Sequence, residues 1–170
     1  PNLRKQKPSI KLVIYAGTHL DIANMVREMS TAHRVKIGEN YDKSAQLRLL
    51  YHPQIVDANE LLIKYAFPWA HGFITKPSGD MAYDAVAAGC FLLTLREWGE
   101  WEHRIREIFE QQDISRRATL DHIMTQLSVL QSARGTAQSW VEAAMHHALR
   151  VDKLYLTGAK NIISAHQKIQ

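Results

Sequence analysis

Apolar residues follow two alternating rhythms along this chain: short continuous runs, and stretches spaced three and four residues apart. Lys11 to Ala16 (KLVIYA) is a β-rich apolar run that ends at Gly17. Thr18 is followed three residues later by Asp21, a capping-box spacing, so the strand is predicted to turn directly into a helix. Leu20, Ile22, Ala23, Met25, Val26 and Met29 keep close to a 3.6-residue period and predict one sheet-facing stripe. Further strands are predicted near Arg34 to Ile37 and over Gln46 to Tyr51, and Asp57 with Glu60 opens a helix whose apolar face holds Leu61, Leu62, Tyr65 and Ala66.

The same alternation continues. Gly72 to Thr75 (GFIT) predicts a fourth strand, broken by Pro77; Ser78-Gly79-Asp80 leads into the helical MAYDAVAA and a stop at Gly89. Cys90 to Leu95 (CFLLTL) is apolar throughout, as a parallel strand buried on both faces requires. From Trp98 the pattern is helical. One face carries Trp101, Ile105, Ile108 and Phe109, and a second carries Leu120, Ile123, Met124, Leu127 and Leu130. A third, with Trp140, Val141, Ala144, Met145 and Ala148, follows a break at Arg134-Gly135, and a last helix is expected from about Lys153, with Gly158 its weak point. Strand and helix thus alternate for about a hundred residues, which predicts an α/β fold: a Rossmann-like, doubly wound parallel sheet flanked by helices, with a helical C-terminal segment.

Composition narrows the class. The chain has 170 residues, 46% hydrophobic and 22% charged, enough for one domain, expected over residues 11–170 behind a leader of residues 1–10. No run approaches the roughly 18 apolar residues of a membrane span, and the polar, basic start is not a secretory signal. A lone cysteine, Cys90, excludes an internal disulfide and points to a reducing cytoplasm. The net charge of +4 owes much to Arg4, Lys5, Lys7 and Lys11, and aromatic and basic residues do not alternate as on a nucleic-acid platform. No nucleic-acid partner is expected. An initial Pro1 points to an excised or processed N-terminus.

In parallel sheets, ligands bind at the carboxyl ends of strands, where strand-to-helix loops present unpaired N–H groups. Three loops qualify: Gly17-Thr18-His19, Ser78-Gly79-Asp80-Met81, and Arg96 to His103. At the first, a glycine admits close approach and the Thr18 hydroxyl can meet a phosphate oxygen, although the same residues also serve a plain turn and cap. At the second, small residues open a helix that carries Asp84 one turn on, suited to a diphosphate on the N–H groups and ribose hydroxyls on the carboxylate.

The segment Ile74 to Gly89 (ITKPSGDMAYDAVAAG) resembles the donor-binding signature of GT-B glycosyltransferases. The branch in question contains the lipid II-forming N-acetylglucosaminyltransferase and the monogalactosyldiacylglycerol synthases. Ser78 and Gly79 fall on that family's paired small residues, Asp84 on its ribose-binding acid, and Gly89 on the glycine that ends the helix. Lys11 to His19 looks like its first strand and turn, Trp69-Ala70-His71 precedes the fourth strand where the family often has Ala-Asp, and Gly99 to His103 looks like its Gly-Gln-Glu-x-x-Asn. The resemblance covers residues 10–130, most strongly 72–90.

It implies a UDP-sugar donor site for transfer of a hexosyl or N-acetylhexosaminyl group. Gly17, Thr18, His19, Ser78 and Gly79 would lie at the diphosphate, Asp84 at the ribose, Glu100 and His103 at the sugar, and Ile55 and Val56 at the base. No resident cofactor or metal is implied, and magnesium is compatible with the diphosphate. The acceptor site and general base would belong to an N-terminal half, in the same or another chain, through which any peripheral membrane contact would run. The catalytic residues are therefore not in view, and the fragment is expected to bind without turnover.

Three residues depart from the pattern, one of them His103, which stands where the family has Asn. Met81 replaces the usual Ser or Thr, and Asp80 places a carboxylate where a diphosphate would sit, able to cap the N–H groups itself unless Lys76 or a divalent ion compensates. These departures keep open an interaction domain that has lost the donor; a nucleotide-sugar epimerase of the same architecture is a further alternative. Trp98 and Trp101 have the chemistry to stack on a sugar or base, but Trp101 fits the buried stripe of its helix and is expected in the core. Cys90 is expected to be inert, and His146, His147 and His166 to be surface or interface residues.

Overall fold

The computed structural model describes residues 10–133, 138–151 and 158–167. They fall into two compact units divided between Trp69 and Ala70. The expected break at Arg134-Gly135 and helix start at Lys153 lie outside the described residues.

The first unit runs β1 (Leu12–Gly17), α1 (Leu20–Ala32), β2 (Ile37–Glu39), β3 (Leu47–Tyr51) and α2 (Ile55–Tyr65). Its sheet is parallel in the order β1-β3-β2. Ala16, Ala23, Val26 and Leu49 make a core on which Ile14, Ile22, Ile37 and Tyr51 pack. The α1 stripe is narrower than the sequence predicts: Leu20, Met25 and Met29 are exposed, whereas Ser30 is buried and its hydroxyl donates to the Val35 carbonyl at 2.5 Å. Thr18 and Asp21 form no capping box. The cap is His19, with no side-chain bond, because Gly17 (φ 59°) carries the turn one residue further. Likewise α2 begins at Ile55 behind Gln54, so Asp57 sits within its first turn.

β2 starts at Ile37 because Arg34 ends α1 in the left-handed region (φ 54°), with Val35 N–H donating to Ser30 and Arg34 N–H to Thr31. The return to β3 takes only residues 40–46. Asn40, also left-handed, accepts the Tyr51 N–H, and a Cβ at Gly38 would lie 2.7 Å from the Asp42 carbonyl. So tight a crossover requires glycine there.

The second unit runs β4 (Gly72–Thr75), α3 (Gly79–Ala87), β5 (Phe91–Thr94), α4 (Glu100–Gln111), β6 (Ser115–Arg117), a 3-10 turn (Leu120–His122), α5 (Ile123–Gln131), α6 (Trp140–Ala148) and α7 (Gly158–Gln167). Its sheet is parallel in the order β4-β5-β6. All four residues of central β5 are buried, and Phe91 and Leu93 join Leu130, Val141 and Ala144 in a core packed by Ile123, Leu127, Trp140 and Met145. The chain is therefore α/β with Rossmann-like parallel strands and helices, and a helical segment follows its last described strand.

Three helices hand the chain to strands through the same left-handed ending. After α3, Gly89 (φ 83°) lets Cys90 N–H reach Ala85 and Gly89 N–H reach Val86; Asp113 (φ 55°) does the same after α4, as Arg34 does after α1. The ending at Asp113 starts β6, a strand that the helical pattern after Trp98 does not predict. Leu120 and Met124 are exposed, so only Ile123, Leu127 and Leu130 of their predicted face pack inward. Cys90 is buried, its thiol donates to the Ala70 carbonyl at 3.1 Å, and burial pushes its pKa up to about 11, which keeps it an inert thiol. No helix among the described residues is long and apolar enough to cross a membrane.

Candidate ligand site at the carboxyl edge of β4 and β5

The link from β4 to α3 is built to expose backbone donors. Pro77 is fully buried and anchors the loop, and Ser78 N–H turns back to the Lys76 carbonyl at 2.8 Å. Ser78 caps α3 in an extended conformation without a side-chain hydrogen bond, and the ladder begins with Ala82 N–H on the Ser78 carbonyl. Gly79, Asp80 and Met81 N–H groups thus have no acceptor among the described residues and carry the positive end of the helix dipole. Asp80 and Asp84 are exposed, one turn apart, and their carboxylates have no hydrogen bond or ion pair among the described residues. The Asp80 carboxylate therefore leaves the helix start open to an external anion, although it still repels one.

The link from β5 to α4 brings two aromatic rings to the same place. Trp98 is 87% exposed, and the Lys76 ammonium stands 3.1 Å above its ring centroid. The Trp98 backbone N–H donates to the Glu102 carboxylate at 2.7 Å, which fixes the residue ahead of the Gly99 cap. Trp101 is 72% exposed and not in the core, contrary to its place in the periodic stripe. α4 buries Ile105 and Phe109, whereas Trp101 in its first turn stays in solvent. The Trp101 indole Nε1 is instead 3.8 Å from where a Cβ on Gly79 would stand.

Glu100 and His103 are engaged within α4. Glu100 pairs with Arg104 at 3.0 Å; the His103 ring lies 3.1 Å from Glu107 through Nε2 and 3.4 Å from Glu97 through Nδ1. Glu97 is the centre of this network, pairing also with Arg106 at 3.4 Å and with Arg117. Its own backbone N–H and then the His103 hydrogen bond, Arg117 and Arg106 hold its pKa down to about 2, against the opposing effect of burial. Glu97 lies in the Arg96 to His103 stretch but has no motif spacing to single it out, and Arg117 comes from β6, which the periodicity does not predict.

Gly17, Thr18, His19, Ile55 and Val56 all belong to the first unit, whereas Ser78, Gly79, Asp80, Met81, Asp84, Glu100 and His103 belong to the second. In the first, His19 N–H donates to the Ala16 carbonyl at 3.0 Å and His52 N–H to the Gly17 carbonyl at 3.1 Å, which shapes the turn before α1. Ile55 and Val56 are exposed in the first turn of α2, and His52 lies 3.3 Å from Asp57. An open depression of about 400 Å³ in the second unit, lined by Glu110, Asp113, Ser115, Arg116, Arg117 and Gln126, holds none of the predicted residues. The β4 and β5 edge is the stronger candidate, because free donors, a cation and exposed rings converge there. Among the described residues, no cluster of three or more His, Cys, Asp and Glu side chains is arranged to hold a metal ion.

No protein-family model matches this chain, nor does any curated protein or solved structure.

Proposed function

We propose that this chain binds a nucleotide sugar as the donor-binding part of a glycosyltransferase, with the donor diphosphate on the N-terminus of α3. The observation that carries this reading is the trio of uncapped N–H groups of Gly79, Asp80 and Met81 at the carboxyl end of a parallel strand. Those donors would also stabilise the negative charge that develops as the nucleoside diphosphate leaves. Asp84, unpaired one turn along, would accept hydrogen bonds from the ribose. Lys76 would offset the charge of Asp80, with magnesium as the alternative counter-ion. Glu100 and His103 would exchange their α4 ion pairs for sugar hydroxyls. The acceptor and the general base would come from a separate half, and transfer of a hexosyl or N-acetylhexosaminyl group would require both. A cytoplasmic location goes with this reading, supported by a lone buried cysteine.

Calorimetric titration with UDP, UDP-GlcNAc and UDP-glucose, with and without magnesium, tests it. Saturable binding is expected, weakened about tenfold by Asp84→Ala, equivalent to roughly 1.4 kcal/mol for one charged hydrogen-bonding group. Absence of binding at millimolar ligand would favour the second reading, an interaction domain that has lost its donor. Asp80 supports that alternative, because its carboxylate is fixed to the very turn an anion would occupy.

A further inference from the structure

Of the four tryptophans in this chain, Trp98 and Trp101 stand largely in solvent within one helical turn of each other. Neither serves the packing of α4, which rests on Ile105 and Phe109. Both instead lie beside the link between β4 and α3, Trp98 under the Lys76 ammonium and Trp101 with its Nε1 3.8 Å from where a Cβ on Gly79 would stand. Lys76 covers one face of Trp98, and an exposure of 87% leaves the other face open. Gly79, lacking a side chain, leaves the indole of Trp101 facing bare backbone beside the free N–H groups.

A hexose ring presents a flat C–H face that rests on an aromatic ring, while its hydroxyls radiate toward polar groups at the rim. Here Lys76 stands over the Trp98 ring and Glu102 accepts the Trp98 backbone N–H, while Glu100 pairs with Arg104. The Lys76 ammonium and the α3 dipole favour a hexose bearing a phosphate beside the rings, against the opposing carboxylate of Asp80.

We propose that Trp98 and Trp101 form the platform on which the hexose of a diphosphate-linked sugar rests. The proposal depends on the donor-binding reading and adds to it the element that distinguishes a nucleotide sugar from the bare nucleotide. The platform favours sugars with an uninterrupted apolar face and leaves binding of the nucleoside diphosphate itself to α3.

The test is calorimetry of the whole chain and of its Trp98→Ala, Trp101→Ala and Trp101→Phe variants with UDP and with UDP-glucose, accompanied by melting curves. Because both rings are exposed, the variants are expected to melt with the unaltered chain. The unaltered chain should bind UDP-glucose about tenfold more tightly than UDP, each alanine variant should bring that ratio near one with UDP affinity preserved, and Trp101→Phe should keep most of it. A ratio that survives both alanine substitutions, or that is near one from the start, overturns the platform while leaving the donor reading in place. Failure of the unaltered chain to bind either ligand overturns both. A dimer in sedimentation, dispersed by the alanine variants with the binding ratio unmoved, would assign the rings to a second copy of the chain and overturn the platform as well.

Discussion

The two units solve the same architectural problem with opposite placements of charge. Each has a three-stranded parallel sheet with a buried central strand. In the first unit the central strand itself carries a guanidinium: Arg48 is only 3% exposed, donates to the Tyr65 carbonyl at the end of α2, and lies 5.4 Å from the Trp69 ring centroid. It meets the negative end of a helix dipole, and burial with only a distant Asp42 in opposition pulls its pKa down. In the second unit the central strand is free of charged residues, and ions gather beyond its carboxyl end around Glu97. The Arg48 charge of the first unit is buried within the fold; at the carboxyl edge of the second, charge is largely paired between α4 and β6, and Lys76, Asp80 and Asp84 stand apart from that network.

The largest effect should come from the internal charge. Arg48→Ala leaves the Tyr65 carbonyl without its donor and opens a cavity against Trp69, a loss of about 3 kcal/mol in urea unfolding. Arg48→Met keeps the bulk and should cost less, because one guanidinium nitrogen, Nη1, already has no partner. Equal losses in the two variants would show that the charge, and not the packing, holds this unit together. Next is the second unit's own packing. A Cβ on Gly72 would lie 2.3 Å from the ring of Phe91, its partner across the sheet, and that ring is fixed in the core. Gly72→Ala should therefore cost about 2 kcal/mol, whereas Gly79→Ala, with ordinary contacts of 3.8 Å and more, should leave stability within about 0.5 kcal/mol while weakening any ligand on α3.

The Glu97 network makes the second unit sensitive to acid. Its carboxyl takes up a proton near 4.5 when unfolded and near 2 when folded, so its contribution is present in full above that range and is lost as pH falls from about 4.5 to about 2. Glu97→Gln should lower stability at neutral pH and flatten the acid side of the unfolding curve in that window. An acid limb of unchanged slope would show that Arg106 and Arg117 do not discriminate between its charge states. The smallest effects belong to the left-handed helix ends: Arg34→Gly in one unit and Asp113→Gly in the other should each stabilise by about 0.5 to 1 kcal/mol, read as a rise in melting midpoint. A loss at Asp113 alone would mean that its side chain secures the start of β6.

Much of the path to these sites is legible in the residues. The runs at Leu12, Leu47, Gly72 and Phe91 and the periodic stretches between them lead to the observed strands and helices, because an apolar run or a 3.6-residue spacing records locally which faces avoid water. Ser78, Gly79 and Asp84 stand out in the sequence itself, since small residues ahead of a helix and an acid one turn on form a local pattern. β6 does not, because Ser115-Arg116-Arg117 has no apolar signature and its helix stop is an aspartate and not a glycine.

What the sequence determined by itself, then, is the alternation of strands and helices and the placing of small, donor-rich turns at strand ends, since both depend on residues near one another in the chain. Only the tertiary structure decided which strands pair, that Trp101 faces solvent and not the core, that Arg48 is buried at a helix end, and that Glu97 gathers two arginines and a histidine. Burial and charge pairing depend on what another segment places against a side chain, and periodicity carries no record of that neighbour.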